Sequence, residues 1–211
     1  MPEVQLHGFS FEKWVRDHFF GGYLGSYMQK WDVDSNYNLI DAVPLPFRHL
    51  PVSIKTAKNG TPIGLGDVIR QRQINCDFVM IIGFWEQLNR TEKWIVDIGY
   101  AVFRADVWNN LWGQLTIDEL QAIDTVVKDM NEHYSVVRQA AKRWKMNASV
   151  QSSTIVINPK IDSNTQRRIQ CSLPFSVFWT LGSRDSTRSA SAALWGQPFP
   201  NPILSAPRVF H

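Results

Sequence analysis

A short run of residues, VSIKTA at 52–57, places polar side chains among apolar ones in a way that could support catalysis. Successive side chains of a strand point to opposite faces, so Ser53 and Lys55 share one face. The preceding apolar run, LIDAV, carries one carboxylate, Asp41. The connecting PLPFRHLP is short, and a hairpin would bring Asp41 close to Lys55. A buried carboxylate beside a buried ammonium is costly unless each is paired or binds an ion, so the pair is a candidate site.

A structural ion pair at a sheet edge is the alternative interpretation, and spacing alone leaves both open. The surrounding residues favour a site. Here the sequence resembles the PD-(D/E)XK nuclease superfamily, particularly its type II restriction endonucleases, over about residues 8 to 85. In that family an aspartate starts a hairpin, the next strand carries a carboxylate, any residue and then lysine, and a helical glutamate often joins. The matching residues are Glu12 in FEKWVRDHF, Asp41 in LIDAV and Lys55 in VSIK.

The resemblance departs from the family pattern at Ser53, where a glutamate or aspartate is usual. Some members carry serine there and recruit an acid from a later helix. Asp67 in GLGDVIRQ could supply that acid, although a helix cap is the slightly favoured interpretation. Asp32 and Asp34 in KWDVDSN are further candidates, for which a solvated turn is favoured.

The resemblance implies Mg²⁺-dependent hydrolysis of phosphodiester bonds, because a divalent cation stabilises phosphoryl charge and activates water. It makes Asp41 the main metal ligand and the Ile54 carbonyl a second ligand, with Asp67 or water in the place that Ser53 leaves open. Lys55 would orient the attacking water or neutralise developing charge. Glu12 would bind a metal-bound water or a second ion.

Two polar and basic stretches could contact nucleic acid, because their side-chain types match phosphates and base edges. A solvated loop is the alternative for each stretch. The DNA-binding candidates are Arg70, Arg72, Lys160, Asn164, Gln166, Arg167 and Arg168. The implied partner is double-stranded DNA, cut at a short palindromic sequence by a two-fold homodimer. A repair or junction nuclease of the same fold, a DNA-binding module without activity, and an enzyme of unrelated chemistry remain alternatives.

The elements that must position these residues alternate between helix and strand along the chain. Ser10 is predicted to cap a helix over 11–20, and the capping box of Thr116 and Glu119 starts a helical pattern that runs to about Trp144 with a break near His133. A short helix is predicted between 66 and 74, and strands are predicted at 37–43, 51–57, 76–85, 93–103, 154–158 and 167–175. This order predicts one α/β domain with a mixed central sheet flanked by helices. Its parts are a catalytic core at 8–103, a helical and DNA-recognition part at 104–182 and a tail at 183–211.

The whole chain is long and apolar enough to bury a sizeable core, and short enough to be a single domain. Its 211 residues are 44% hydrophobic with a formal net charge of +3, too small to indicate nucleic acid by itself. Cys76 and Cys171 are expected to be buried free thiols. The first residues lack a signal-peptide pattern and no run is long enough to span a bilayer, so a cytoplasmic protein with no membrane partner is expected. The sequence has no nucleophile elbow that would favour another class of hydrolase. It also has no Walker loop or Rossmann fingerprint, and no organic cofactor is expected.

Overall fold

The computed structural model describes residues 3–25, 30–89, 91–162, 166–185 and 191–204. Its helices are α1 (Glu3–Phe19), α2 (Val68–Arg72), α3 (Ala105–Asn110), α4 (Ile117–Lys128), α5 (Tyr134–Trp144), α6 (Ala148–Gln151) and α7 (Phe175–Leu181). Its strands are β1 (Val52–Lys58), β2 (Ile63–Asp67), β3 (Phe78–Gln87), β4 (Glu92–Phe103), β5 (Val156–Ile161), β6 (Arg167–Leu173), β7 (Ser183–Arg184), β8 (Ala193–Leu194), β9 (Gln197–Pro198) and β10 (Ile203–Leu204). The predicted α/β class with a mixed sheet is confirmed.

The chain forms two compact units that are interleaved along the sequence. The first lies within residues 1–63, 77–103 and 175–211, and the second within 64–76 and 104–174. The first unit contains the larger sheet, in which β1 pairs with β3 in parallel and β3 pairs with β4 antiparallel. The short strands β7 and β10 both pair with β4. β3 reads FVMIIGFWEQ and its first seven residues are buried, as expected of a central strand.

Helix α1 packs against this sheet and fixes the position of its own polar face. Phe11 and Val15, four residues apart on one side of the helix, have no exposed surface. The helix approaches β3 closely at Gly83, where an added Cβ would lie 2.9 Å from the Phe11 ring. Because Phe11 is anchored there, the next residue, Glu12, is held at a defined height above the sheet.

The second unit combines a small sheet, in the order β2-β6-β5, with helices α2 to α6. The predicted capping box at the start of α4 is confirmed, because Thr116 and Glu119 bond reciprocally to each other's backbone N–H groups. The break predicted near His133 is also confirmed, since His133 caps the separate helix α5. β5 and β6 form an antiparallel pair that runs from Val156 opposite Ser172 to Ile161 opposite Arg167.

Three local predictions are wrong. Residues 37–43 are not a strand: the buried Asn38 amide donates to the carbonyls of Phe47 and Leu50 and folds the segment into a compact loop. Ser10 is not a helix cap, because α1 already begins at Glu3. Cys76 is exposed, whereas Cys171 is buried as expected.

Candidate active site

The side chains of Asp32 and Lys55 form the centre of the candidate site. Lys55 Nζ lies 3.0 Å from Asp32 Oδ2, and each side chain keeps one quarter of its surface exposed. The same oxygen accepts a hydrogen bond of 2.6 Å from the Ile54 backbone N–H. Ser53 Oγ reaches it at 3.5 Å, the outer limit of a hydrogen bond. One carboxylate oxygen of Asp32 therefore accepts hydrogen bonds from three consecutive residues of β1.

Asp32 is positioned by a short antiparallel contact with the start of β1. Val33 bridges to Val52, and the Asp32 backbone N–H donates to the Val52 carbonyl at 3.0 Å. Val33 is completely buried, so the bridge is part of the core. Trp31 packs on Phe78, with ring centroids 5.1 Å apart. Apolar neighbours on both sides of Asp32 thus hold its carboxylate at the start of β1.

Strand β1 presents Lys55 at the surface of an otherwise buried segment. Val52 and Ile54 are buried on the sheet, and Ser53 is only 8% exposed. The Lys55 ammonium donates to the Ile54 carbonyl at 3.1 Å as well as to Asp32. Two acceptors therefore fix the ammonium and leave one of its three N–H groups to donate elsewhere.

The Glu12 carboxyl on α1 lies within electrostatic range of Asp32 and Lys55. Burial raises the pKa of the Glu12 carboxyl, and the Asp32 carboxylate raises it further. Two positive side chains, Arg16 and Lys55, act in the opposite direction and lower this pKa. Arg16 Nη1 lies 3.1 Å from Glu12 Oε1, one helical turn away. The net increase shows that burial and the Asp32 charge together disfavour the ionised form of Glu12.

The structure places Asp41 away from this cluster. Its side chain is 99% exposed and pairs with Arg48 Nη1 at 2.8 Å. The Arg48 guanidinium also donates to the carbonyls of Asp41 and Val43, which closes the loop. The expectation that Asp41 faces Lys55 was therefore wrong, because it required a strand at 37–43, and Asp32 takes that place.

For Asp32 a solvated turn was the favoured interpretation of the sequence, and Arg16 was not among the predicted site residues. Arg16 had a sequence signal, since it follows Glu12 by four residues on a helix, the spacing of an intrahelical ion pair. For Asp32 the signal was its position between Trp31 and Val33, two residues that the fold buries in part or in full. The neighbouring Asp34 does what was expected of it and caps a turn at 35–37.

Asp67 lies in the second unit and caps α2, where its carboxylate accepts from the Arg70 backbone N–H at 2.9 Å. The favoured interpretation, a helix cap, is confirmed. A metal-binding role for Asp67 stays a prediction.

The candidate DNA-binding residues fall into two groups. The guanidinium of Arg72 is held within the second unit by the Leu115 carbonyl and Asn109, and that of Arg167 by the carbonyls of Asp129 and Glu132. Both therefore stabilise the unit itself. The side chains that remain exposed are Arg70, Lys160, Gln166 and Arg168, and Asn164 lies outside the described residues.

The donor set of the candidate site suits a sparsely coordinated Mg²⁺. Within the described ranges, no group of three or more His, Cys, Asp or Glu side chains could hold a metal ion. The Asp32 and Glu12 carboxylates and the Ile54 carbonyl are nevertheless hard oxygen donors. Mg²⁺ commonly takes only one or two carboxylates and keeps several waters. The fit rests on the chemistry of these oxygen donors and on the electrostatic effect of Asp32 on the half-buried Glu12 carboxyl, whose pKa is raised first by burial and then by Asp32.

Comparison with known proteins gave no match to a family model, to a curated protein or to a solved structure. Among the described residues, no helix is long and apolar enough to cross a membrane.

Proposed function

We propose that this protein is a Mg²⁺-dependent endonuclease that hydrolyses phosphodiester bonds in double-stranded DNA. The observation that carries the proposal is the Asp32 carboxylate, bound to the Lys55 ammonium and the Ile54 N–H beside the acid Glu12. In PD-(D/E)XK nucleases an aspartate precedes the strand that carries the lysine. Asp32 matches this position better than Asp41, because Asp32 lies next to the antiparallel bridge to β1.

The side chains of the cluster have separate roles in the proposed reaction. Asp32 and Glu12, with the Ile54 carbonyl, would hold the cation, which would neutralise charge on the phosphoryl oxygens and acidify a water. Lys55 keeps one N–H free to donate to the attacking water or to a phosphoryl oxygen. Arg16 compensates the charge of Glu12 and orients its carboxylate. Ser53 replaces a third acid, so fewer charged ligands surround the cation than is usual in the family.

We further propose that the enzyme is of the type II restriction class and cuts a short, palindromic sequence as a homodimer. Two-fold symmetry in the protein matches two-fold symmetry in the target. A repair or junction nuclease would use the same cluster on a different DNA substrate.

A DNA-binding module without cleavage activity is a second candidate. The observation in its favour is charge balance: Arg16 pairs with Glu12 and Lys55 pairs with Asp32, so each acid already has a partner. Ser53 adds to this, since it removes the acid that would otherwise give the cluster a negative charge.

Incubation of the purified protein with a long DNA of known sequence, with Mg²⁺ and separately with EDTA, tests the proposal. Discrete fragments that require Mg²⁺ support a site-specific endonuclease, and a metal-dependent smear supports a non-specific or structure-selective nuclease. DNA binding without cleavage would favour the binding module.

Lys55→Ala should remove cleavage. Lys58→Ala is the matched control, because Lys58 lies on the same strand with an exposed side chain. Full cleavage by the Lys55→Ala protein would overturn the assigned active site.

A further inference from the structure

Strands β5 and β6 place two positive side chains directly opposite each other. Lys160 pairs in register with Arg168, so both side chains project from the same face of the antiparallel pair. Both are exposed, and neither forms an ion pair with another described residue. Like charges at directly opposed positions destabilise a sheet. The fold therefore keeps a repulsion at its surface that a bound anion would relieve.

The same face is polar beyond the two cations. Asn158 pairs with Gln170, two residues along from the charged pair and hence on the same side. Asn158 Nδ2 donates to Ser172 Oγ at 2.9 Å, which orients the amide. We call Asn158, Lys160, Arg168 and Gln170 the ribbon face. The opposite face of these strands carries buried side chains, Ile157, Ile169 and Cys171, so the ribbon face is the outward one.

The strand beside β6 leaves this surface open. β2 carries Gly64 and Gly66 at its outward positions, which alternate with the buried Ile63 and Leu65. A Cβ added at either glycine would meet nothing within 4 Å. The strip next to the ribbon face thus has space for a bulky partner.

Acidic and basic residues occupy different segments of the second unit. Between 104 and 132 there are six acidic and two basic residues, whereas between 133 and 174 there are seven basic residues and one acid, Asp162. Arg138 and Lys142 lie one turn apart on one side of α5, and Lys145 follows as the C-cap of that helix. Arg138 donates to the Ile161 carbonyl at 2.8 Å, which joins this row to the edge strand β5. Favourable interaction with a helix C-terminus explains cations at the end of α5, but not those on the ribbon face.

We propose that the ribbon face is a docking surface for duplex DNA, the substrate class of the proposed active site. Lys160 and Arg168 contact backbone phosphates, and the Gln170 amide, two residues along the same face, contacts base edges. The amide nitrogen of Asn158 already donates to Ser172 and Val156, so Asn158 offers only its oxygen. A two-stranded ribbon fits the major groove, and amide side chains match adenine there. Two exposed cations beside amides complement DNA better than an apolar membrane or a folded protein surface. This inference rests on the proposed function for one point, the choice of duplex DNA as the ligand.

The test is the salt dependence of binding to a fluorescein-labelled 30-base-pair duplex, measured by anisotropy in EDTA so that no cleavage occurs. The variant is Lys160→Gln with Arg168→Gln, and the control is Arg104→Gln with Lys128→Gln. The control removes the same charge from exposed residues of the same unit, but from its acidic segment. The slope of log K against log salt is negative, and each lost phosphate contact makes it shallower by about 0.9, so the slope of the variant should be shallower by about 1.8. The variant should also melt at the same or a higher temperature, because the repulsion is gone.

A salt slope that becomes shallower in the variant but not in the control supports the ribbon face. Equal slopes in variant and control overturn it, as does tighter binding to anionic vesicles or to polyglutamate than to the duplex. Binding through this face without cleavage by the wild type would refute the proposed nuclease and leave the ribbon face standing. Cleavage by the wild type, together with an unchanged salt slope in the variant, would support the proposed nuclease and overturn the ribbon face.

Discussion

Replacement of Asp32 separates the site seen in the structure from the one expected from the sequence. Asp32→Asn keeps an oxygen that accepts the Ile54 N–H bond but removes the charge that holds the Lys55 ammonium. Loss of one preorganised electrostatic group lowers rates by about 10²–10³-fold. We therefore expect DNA cleavage to fall at least that far. Asp41→Asn should cleave like the wild type, because the Asp41 side chain is almost fully exposed.

The effect on stability follows from the bonds that Asp32 makes. Asp32→Ala leaves the buried Ile54 N–H without its acceptor, which costs about 1–3 kcal/mol. Loss of the partly exposed ion pair with Lys55 adds about 0–1 kcal/mol. Urea denaturation should thus show Asp32→Ala to be less stable by about 1–4 kcal/mol. Asp32→Asn should lose less, since the amide oxygen still accepts the N–H bond.

The assay is cleavage of plasmid DNA in Mg²⁺ by each variant at equal folded concentration, with circular dichroism as the folding control. Inactive Asp32→Asn with active Asp41→Asn would support the cluster on β1. The reverse pattern, active Asp32→Asn with inactive Asp41→Asn, would refute the reasoning and restore the expectation drawn from the sequence.

Three further outcomes are expected. Burial raises the pKa of Glu12, so the wild-type protein loses stability as the pH rises from 4.5, the ordinary pKa of the group, through the raised pKa. Glu12→Gln lacks this carboxyl, so its free energy of unfolding relative to wild type should increase between pH 4 and pH 7 in urea titrations, and a decrease would contradict this. Burial and a hydrogen bond to Asp185 raise the pKa of Tyr100 to about 12, so stability should decline as pH rises from 10 to 12, and ultraviolet absorbance should show one late-ionising phenol that Tyr100→Phe removes. Gly83→Ala should cost about 1–3 kcal/mol in thermal or urea unfolding, because its Cβ would clash with the buried Phe11 ring under α1; an unchanged stability would mean that α1 can shift without loss.

The sequence by itself determined the elements with strong local signals. The capping box at Thr116 starts a helix wherever the chain goes, because its bonds form within one turn. The runs that became β3 and β4 are long, apolar and rich in β-branched residues, so their strand character needed no partner to be recognised. Lys55 and Ser53 were identified for the same reason, since alternation in β1 is a local property.

Tertiary structure alone decided which acid meets Lys55. LIDAV reads as a strand, yet the Asn38 side chain bonds to the carbonyls of Phe47 and Leu50, nine and twelve residues later, and turns the segment into a loop. Asp32 looks like a turn residue and reaches Lys55 only because Val33 forms a bridge to Val52 at the start of β1. Such contacts depend on residues far apart in the chain, so the local sequence pattern cannot predict them. The residue types of the candidate site were thus legible in the sequence, whereas the pairing between them required the fold.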